Sequence, residues 1–445
     1  MTPKSHSSPQ VHIETFGCQM NESDSELVRS MLKREGFAFT EDRERADVVL
    51  VNTCAIRENA HNKIYAHLSE LKGIKKRRPL VVGVLGCMAQ NLKSELAEKE
   101  PLVDVLAGPD AYRQLPRLLT TALEAQEQGF SQKGFALDLS EYETYEGIMP
   151  ERDSRVNAWI TVMRGCDNFC SFCVVPYTRG RERSRVPEAV LLEARDAAAR
   201  GFKQITLLGQ NVNSYRAGEW DFARLICAVA DTPEIDRVRF TSPHPKDFPP
   251  TLIEAIAAHP KISKHIHLPL QSGSDRILDL MGRTYTGADY LALVERIRRT
   301  IPDVVLTTDI ICGFCSESDE DFQDTCRMVK RIRFNSAYIF KYSERKNTIA
   351  ARKYHDDVPD HVKGTRVSKL VEIQRIITQE CNREYIGRDI EVLIERDATR
   401  SSTQGMGKTD GNITVVWDKG TSPFTPGTLI MKRIFDASAA TLYGE

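Results

Sequence analysis

Between residue 11 and about residue 120 the chain repeats one pattern three times: an apolar run, a short turn, then an amphipathic segment. That alternation predicts an α/β domain with a parallel sheet. The runs are VHIETFG, DVVLVNT and LVVGVLG, and each ends at a cysteine: Cys18, Cys54 and Cys87. The carboxyl ends of parallel strands share one edge, where such folds bind ligands, so three thiols a full unit apart are expected to meet. The stretch 129–151 is acidic, contains Gly and Pro and follows no period, so it reads as a linker.

Six further apolar runs follow, VNAWITVMRG, KQITLLGQN, DRVRFTS, HIHLPLQ, VVLTTDIICG and SAYIFKYS. They alternate with segments of helical period such as 187–200, 286–300 and 318–333, which predicts a partial, open parallel (βα)6 barrel of TIM type. A helix expected over 360–385 leads to DIEVLIERD, GNITVVWD and TLIMKRIFDAS, separated by Gly-, Ser- and Thr-rich turns. This texture predicts a small antiparallel β-barrel. The expected α/β architecture is therefore an N-terminal domain over 10–128, a linker over 129–151, a barrel over 152–382 and a β module over 385–445.

Composition narrows the chemistry. A chain of 445 residues is long enough for two or three cores. Its 61 basic and 62 acidic residues leave a net charge of −1, so any nucleic-acid contact must use local patches. Apolar stretches such as 80–85 fall far short of the ~18 residues of a membrane span, and MTPKSHSSPQ has no export-signal core. A cytoplasmic protein without membrane attachment is expected. Eleven cysteines are too sparse for a disulfide scaffold, and clustered ones read as metal ligands or redox groups.

The densest cluster is RGCDNFCSFC, with Cys166, Cys170 and Cys173 in C-x3-C-x2-C spacing after the first barrel run. Three thiolates in one short loop suit an iron–sulfur cluster with one iron left open. A zinc site or incidental thiols are the alternatives, although zinc loops normally add a second ligand pair and none is suitably placed. Each N-terminal cysteine alone reads as a small buried hydrophobe; three at equivalent positions weaken that reading.

The loop, with Phe172 before its last cysteine, resembles the radical S-adenosylmethionine (SAM) enzymes. Together with TFGCQMNESDSE, VNTCAIRENA, LGCMAQ and GQNVNSY, it resembles the methylthiotransferase family from about residue 11 to the end. The resemblance implies two 4Fe-4S clusters, one on Cys18, Cys54 and Cys87 and one on Cys166, Cys170 and Cys173. It also implies SAM beside Phe172, Gln210, Gln271 and Gly313. The implied reaction places a methylthio group on C-2 of a dimethylallyl-adenosine next to the tRNA anticodon, with one SAM as methyl donor and one as radical source. It further implies a reduced flavodoxin- or ferredoxin-type electron donor and a monomeric chain. The same chemistry on threonylcarbamoyl-adenosine or a ribosomal-protein aspartate is the alternative within the family, and a non-catalytic cluster carrier the alternative outside it.

The chain departs from the family pattern in two turns, with Cys315-Ser316 and Lys346-Asn347 where Pro-Gly is usual. The first leaves Cys312 and Cys315 in C-x2-C spacing, which invites a redox or metal reading although a lone pair is not a zinc site, and leaves Cys315 as a contact for SAM or substrate. Arg179, Arg181, Arg183 and Arg185 recur at period two, so in an extended segment all four would share a side, as a solvated edge or a phosphate contact. The closing module resembles the TRAM domain of RNA-modifying enzymes, implying RNA contacts through Lys408, Lys432 and Arg433. Ser23 and Glu26 have capping-box spacing, and Asn52 and Thr53 either close a strand or touch the ligand. Cys227, Cys326 and Cys381 read as packing, and at most one of His265 and His267 is expected to line the barrel.

Overall fold

The computed structural model describes residues 8–54, 58–152, 156–399, 401–420 and 424–445. Ala55, Ile56 and Arg57, which begin the AIREN stretch, lie outside the described residues.

Strands β1 (Gln10–Phe16), β2 (Ala38–Phe39), β3 (Val48–Thr53), β4 (Val81–Gly86), β5 (Val105–Ala107) and β6 (Gly134–Ala136) form one parallel sheet in the order β2-β1-β3-β4-β5-β6. Every residue of β3 and β4 is buried, as strands covered by helices on both faces require. The segment expected as a linker is corrected here. Its residues 134–136 pair with β5, and Tyr145 and Ile148 are buried in the N-terminal core with Leu27 and Tyr112. A three-residue edge strand is too short to show a period.

Six parallel strands build the second domain, as the apolar runs predicted. β7 (Asn157–Thr161), β8 (Gln204–Leu208) and β9 (Arg237–Phe240) form one half in the order β9-β8-β7. β10 (His265–His267), β11 (Val305–Cys312) and β12 (Ser336–Lys341) form the other, and a Val238–Ile262 bridge joins the halves. Alternation along the strands separates two environments. Ala158, Ile160, Ile205, Leu207, Val238 and Ile266 pack into the apolar core. Their neighbours Asn157, Gln204, Thr206, Arg237, Arg239, His265, His267, Thr307 and Asp309 make the other face polar. There Asn157 accepts from Gln204 (2.9 Å) and Thr206 (2.8 Å). Both histidines belong to this face, which corrects the expectation of one. A chain of contacts runs from Arg239 to His265 (3.1 Å), on to Thr307 (3.0 Å), to His267 (3.0 Å) and to Asp309 (3.1 Å).

Helix Asp360–Arg383 leads to the last domain, a closed barrel of β13 (Asp389–Ala398), β14 (Ser401–Thr409), β15 (Thr414–Asp418), β16 (Leu429–Ala437) and β17 (Leu442–Gly444). Its pairings are antiparallel except β15–β17, which is parallel, a departure from the all-antiparallel expectation. The β14–β15 turn is docked at the amino ends of the larger barrel's strands. Arg237 donates to the carbonyls of Lys408 (3.0 Å) and Thr409 (3.2 Å), and the Lys264 amide donates to Asp410 Oδ2 (2.9 Å). A Cβ on Gly411 would lie 2.3 Å from Val305 Cγ2, so glycine is what lets the turn seat. The small barrel thus docks on the base and leaves the carboxyl ends of the strands for chemistry.

Gly411→Val overpacks that contact and is expected to lower stability by about 1–3 kcal/mol. A shifted denaturant midpoint with an unchanged far-UV spectrum is the signature; an unchanged midpoint would mean the turn is not held against Val305.

Candidate active site

Sheet register brings the first three cysteines together. Phe16 stands opposite Thr53 and Thr53 opposite Gly86, so Cys18, Cys54 and Cys87 leave one row of the sheet within two residues. Gly86 has φ +87°, and a Cβ there would lie 2.5 Å from Asn52 Oδ1. Asn52 is fully buried and binds the loop together: Asn21 Nδ2 donates to it (3.1 Å), and it donates to the Asn21 carbonyl and Ser25 Oγ (both 2.9 Å). The helix Gln19–Arg34 starts earlier than the Ser23–Glu26 spacing suggested, with Cys18 as its N-cap. Ser23 instead reaches Thr161 of β7 (3.1 Å).

The environment separates these thiols. A hydrogen bond with Cys54, aided by the Arg179 charge, pulls the Cys18 thiol down to about 6. Burial pushes Cys87 up, against the pull of Arg179, whose Nε lies 3.2 Å from the Cys87 sulfur.

The second trio wraps a loop beyond β7. Gly165 has φ +77° and a Cβ would lie 2.0 Å from the Arg181 carbonyl; its amide donates to Gln210 Oε1 (2.6 Å). Cys166 N–H donates to Gly180 (3.2 Å), Ser171 N–H to Met281 (2.8 Å) and Cys173 N–H to Cys170 (2.9 Å). Burial pushes Cys166 up to about 11 and Cys173 up to about 12. A cationic group held among the sulfurs would reverse both shifts. Among the described residues no three His, Cys, Asp or Glu side chains gather about one point as a single metal ion needs. A cubane takes each thiolate on a different corner, so its three ligands need not converge on one point.

Sequence reading missed the arginine beside this trio. Arg283 is buried; its Nη1 donates to Cys170 Sγ (3.3 Å), and its other groups donate to the Tyr285 hydroxyl (3.0 Å) and the Pro269 carbonyl (3.2 Å). No spacing ties it to the cysteines, 113 residues upstream.

Of the residues expected near SAM, Gln210 supports Gly165, and Phe172 packs with Ile277, Met281 and Phe314. Gln271 has φ +68°, and its Oε1 is buried without a partner among the described residues. Gly313 has φ +74°, donates to Glu317 Oε2 (2.7 Å), and leaves room for Lys363, whose Cγ would lie 2.3 Å from a Cβ. Cys312 lies in the barrel core and Cys315 in a separate apolar cluster with Phe314 and Tyr342, so both pack. Cys326 and Cys381 are buried in the barrel core and Cys227 packs against it.

The arginine run is corrected. Helix Val175–Arg179 breaks the extended segment, and Arg179, Arg183 and Arg185 are buried rather than aligned at a surface. Arg183 donates to Asp110 (2.8 Å) and Arg185 to Glu193 (2.7 Å), while Arg181 stays exposed, 3.4 Å from Asp167. Arg179 and Arg164 both donate to Asp24, at 2.7 and 2.8 Å. Burial alone would raise the Asp24 carboxyl, but the two guanidiniums hold it below the usual carboxylate range. Lys408 is also corrected from a surface contact: it is half-buried at the barrel base, bonded to Thr414 (2.7 Å). Lys432 lies 5.7 Å from the Trp417 ring, and exposed Arg433 is 3.5 Å from Asp389.

Comparison with known proteins agrees with this arrangement. Residues 10–108 match the uncharacterized protein family UPF0004 and residues 160–329 the radical SAM superfamily. The tRNA-2-methylthio-N(6)-dimethylallyladenosine synthase of Porphyromonas gingivalis strain W83 is 46% identical over 98% of this chain and 94% of its own. The protein of that name from Pelodictyon phaeoclathratiforme is 46% identical over 98% of both chains. The radical SAM methyltransferase TsrM from Kitasatospora setae, with cobalamin and a 4Fe-4S cluster bound, shares the fold at TM-score 0.58 and 14% identity, over 77% of this chain and 74% of that one. At 46% identity over nearly the whole length of these synthases, and with the radical SAM domain in its barrel, the chain belongs to the tRNA-2-methylthio-N(6)-dimethylallyladenosine synthase family of radical SAM enzymes.

Proposed function

We infer that the chain converts N(6)-dimethylallyladenosine in tRNA to its 2-methylthio derivative. One observation carries the reading: two separate cysteine trios, each beyond the carboxyl ends of a parallel sheet, approach each other where Cys87 packs against Val174, the residue after Cys173. Arg179 contacts Cys87 and follows Cys173 by six residues. Threonylcarbamoyl-adenosine and a ribosomal-protein aspartate are not favoured, since the relatives are named for the dimethylallyl substrate.

In this reading Cys18, Cys54 and Cys87 would hold one 4Fe-4S cluster, and Cys166, Cys170 and Cys173 would hold the other, beside the SAM site. When bound, these groups supply what side chains lack, namely a low-potential electron, an organic radical able to abstract hydrogen, and the methylated sulfur. The protein's part is placement. Gly165 and Gln210 shape the cysteine loop, Arg283 donates to the Cys170 sulfur, and the Gln271 carbonyl oxygen is an acceptor ready for a bound donor. Phe172 and Gly313 complete the SAM side of the mouth. To enter this site the adenine would have to leave its stack, at a cost that is small in an anticodon loop.

Exposed Arg181 and Arg433 and half-buried Lys432 supply cationic contacts to the RNA backbone. A reduced flavodoxin or ferredoxin would bring the electrons to a monomer working in the cytoplasm. Among the described residues no helix is long and apolar enough to cross a membrane. The domain limits fit this division of labour as 10–151, 152–382 and 385–445, with the former linker joined to the first domain.

Two experiments test the reading. The chain is reconstituted anaerobically with iron and sulfide and given SAM, a strong reductant and dimethylallyl-modified tRNA; the digested RNA is then searched for a methylthio-nucleoside by mass spectrometry. Cys54→Ala should abolish product but retain cleavage of SAM to 5′-deoxyadenosine, whereas Cys170→Ala should abolish both. Product from either variant would sink the assignment of its trio. Separately, Lys432→Ala and Arg433→Ala should each weaken tRNA binding and lower the slope of log K against log salt by about 1. An unchanged slope would remove that residue from the RNA contact.

A further inference from the structure

The Arg179 guanidinium is only 3% exposed, and its groups are divided unusually. Nη2 donates to Asp24 Oδ2 at 2.7 Å, Nε points at the Cys87 sulfur at 3.2 Å, and Nη1 is buried with no partner among the described residues. A bolt between domains would need only the carboxylate, and Arg164 already supplies Asp24 with a second guanidinium. The Nε contact is a donor directed at the Cys87 sulfur, and Nη1 is a further buried donor left unused beside it.

The two trios are also treated differently. Each has one buried guanidinium on one sulfur, Arg179 on Cys87 and Arg283 on Cys170. Arg283 spends its other groups on neutral oxygens, of Tyr285 and Pro269. Arg179 shares its charge with the Asp24 carboxylate, which Arg164 and, more distantly, the Tyr112 hydroxyl (3.5 Å) also approach. Hydrogen bonds to cluster-ligating sulfurs, together with local net charge, are the means by which a protein sets an iron–sulfur reduction potential.

We propose that Arg179 is a positioning residue that raises the reduction potential of the cluster on Cys18, Cys54 and Cys87 by donating to the Cys87 sulfur, and that Asp24 limits the rise by holding and partly neutralising that guanidinium. The proposal rests on the reading of those three cysteines as cluster ligands. It makes the electron affinity of the N-terminal site depend on a residue of the barrel, so the two sites are matched only when the domains are docked.

The test uses the full-length chain with Cys166, Cys170 and Cys173 replaced by Ala, so that only the N-terminal trio can load. After anaerobic reconstitution, iron and sulfide are counted, and a redox titration is followed by visible absorption and electron paramagnetic resonance. On this background R179Q should lower the midpoint potential, D24N should raise it, and R179K should fall between R179Q and the parent. A loaded R179Q with the parent's midpoint and spectrum would overturn the proposal and leave Arg179 a structural bolt. Should R179Q fail to fold, D24N and R179K still decide: shifts of opposite sign support the proposal, and equal or absent shifts overturn it. A parent that binds no cluster would overturn the reading of the cysteines themselves, a failure the iron count separates from the other.

Discussion

A single carboxylate with no contact to water holds the two halves of the site together. Asp24 comes from the N-terminal domain, and its two partners, Arg164 and Arg179, come from the short strand Met163–Arg164 and the helix Val175–Arg179 that flank the second cysteine trio. Stripping one partner from a buried pair leaves an uncompensated charge and costs about 3–5 kcal/mol. The contact is therefore far stronger as a specifier of relative position than as a net source of stability. Around it lie parallel contacts of the same sense, Arg183 with Asp110 and Ser23 with Thr161, so the interface is polar and directional rather than greasy. The Arg164 guanidinium also lies 4.6 Å from the Tyr145 ring centroid, which binds the end of the N-terminal domain into the same joint.

From that joint the rest of the architecture follows. Both sheets are parallel, so both present their carboxyl ends at one rim, and docking them through Asp24 turns two rims toward each other. The amino ends of the barrel strands are left over, and the β14–β15 turn covers them. A polar barrel interior becomes affordable only because its floor is closed and its members bond to each other, as the chain from Arg239 to Asp309 does.

Much of this was legible in the residues alone. Six barrel strands and their helices show strong periods, and cysteines at the ends of VHIETFG, DVVLVNT and LVVGVLG are placed by local chemistry. What escaped is what depends on distant partners. The period-two arginines looked like an extended edge because the helix Val175–Arg179 is five residues long, too short to imprint a period, and because the carboxylates that bury them lie 73 to 155 residues away in sequence for Asp110 and Asp24. Lys408 looked like a surface charge because nothing in the β module announces that its turn seats in another domain. Arg283 had no local signal at all. Gly411 was equally silent, since a glycine in a turn has an ordinary explanation until Val305 is seen beside it.

The seat of that turn bears on the order of assembly. Synthesis runs from the amino end, and residues 409–414 emerge after all six strands of the larger barrel. Until then Arg237, Arg239 and His265 face an open floor, and water can solvate them. Docking of the last domain closes the floor: Arg237 trades solvent for the carbonyls of Lys408 and Thr409, and burial leaves His265 with a pKa well below its ordinary value. The barrel is thus dried from below, and by a part of the chain that the ribosome releases after all six of the barrel's strands.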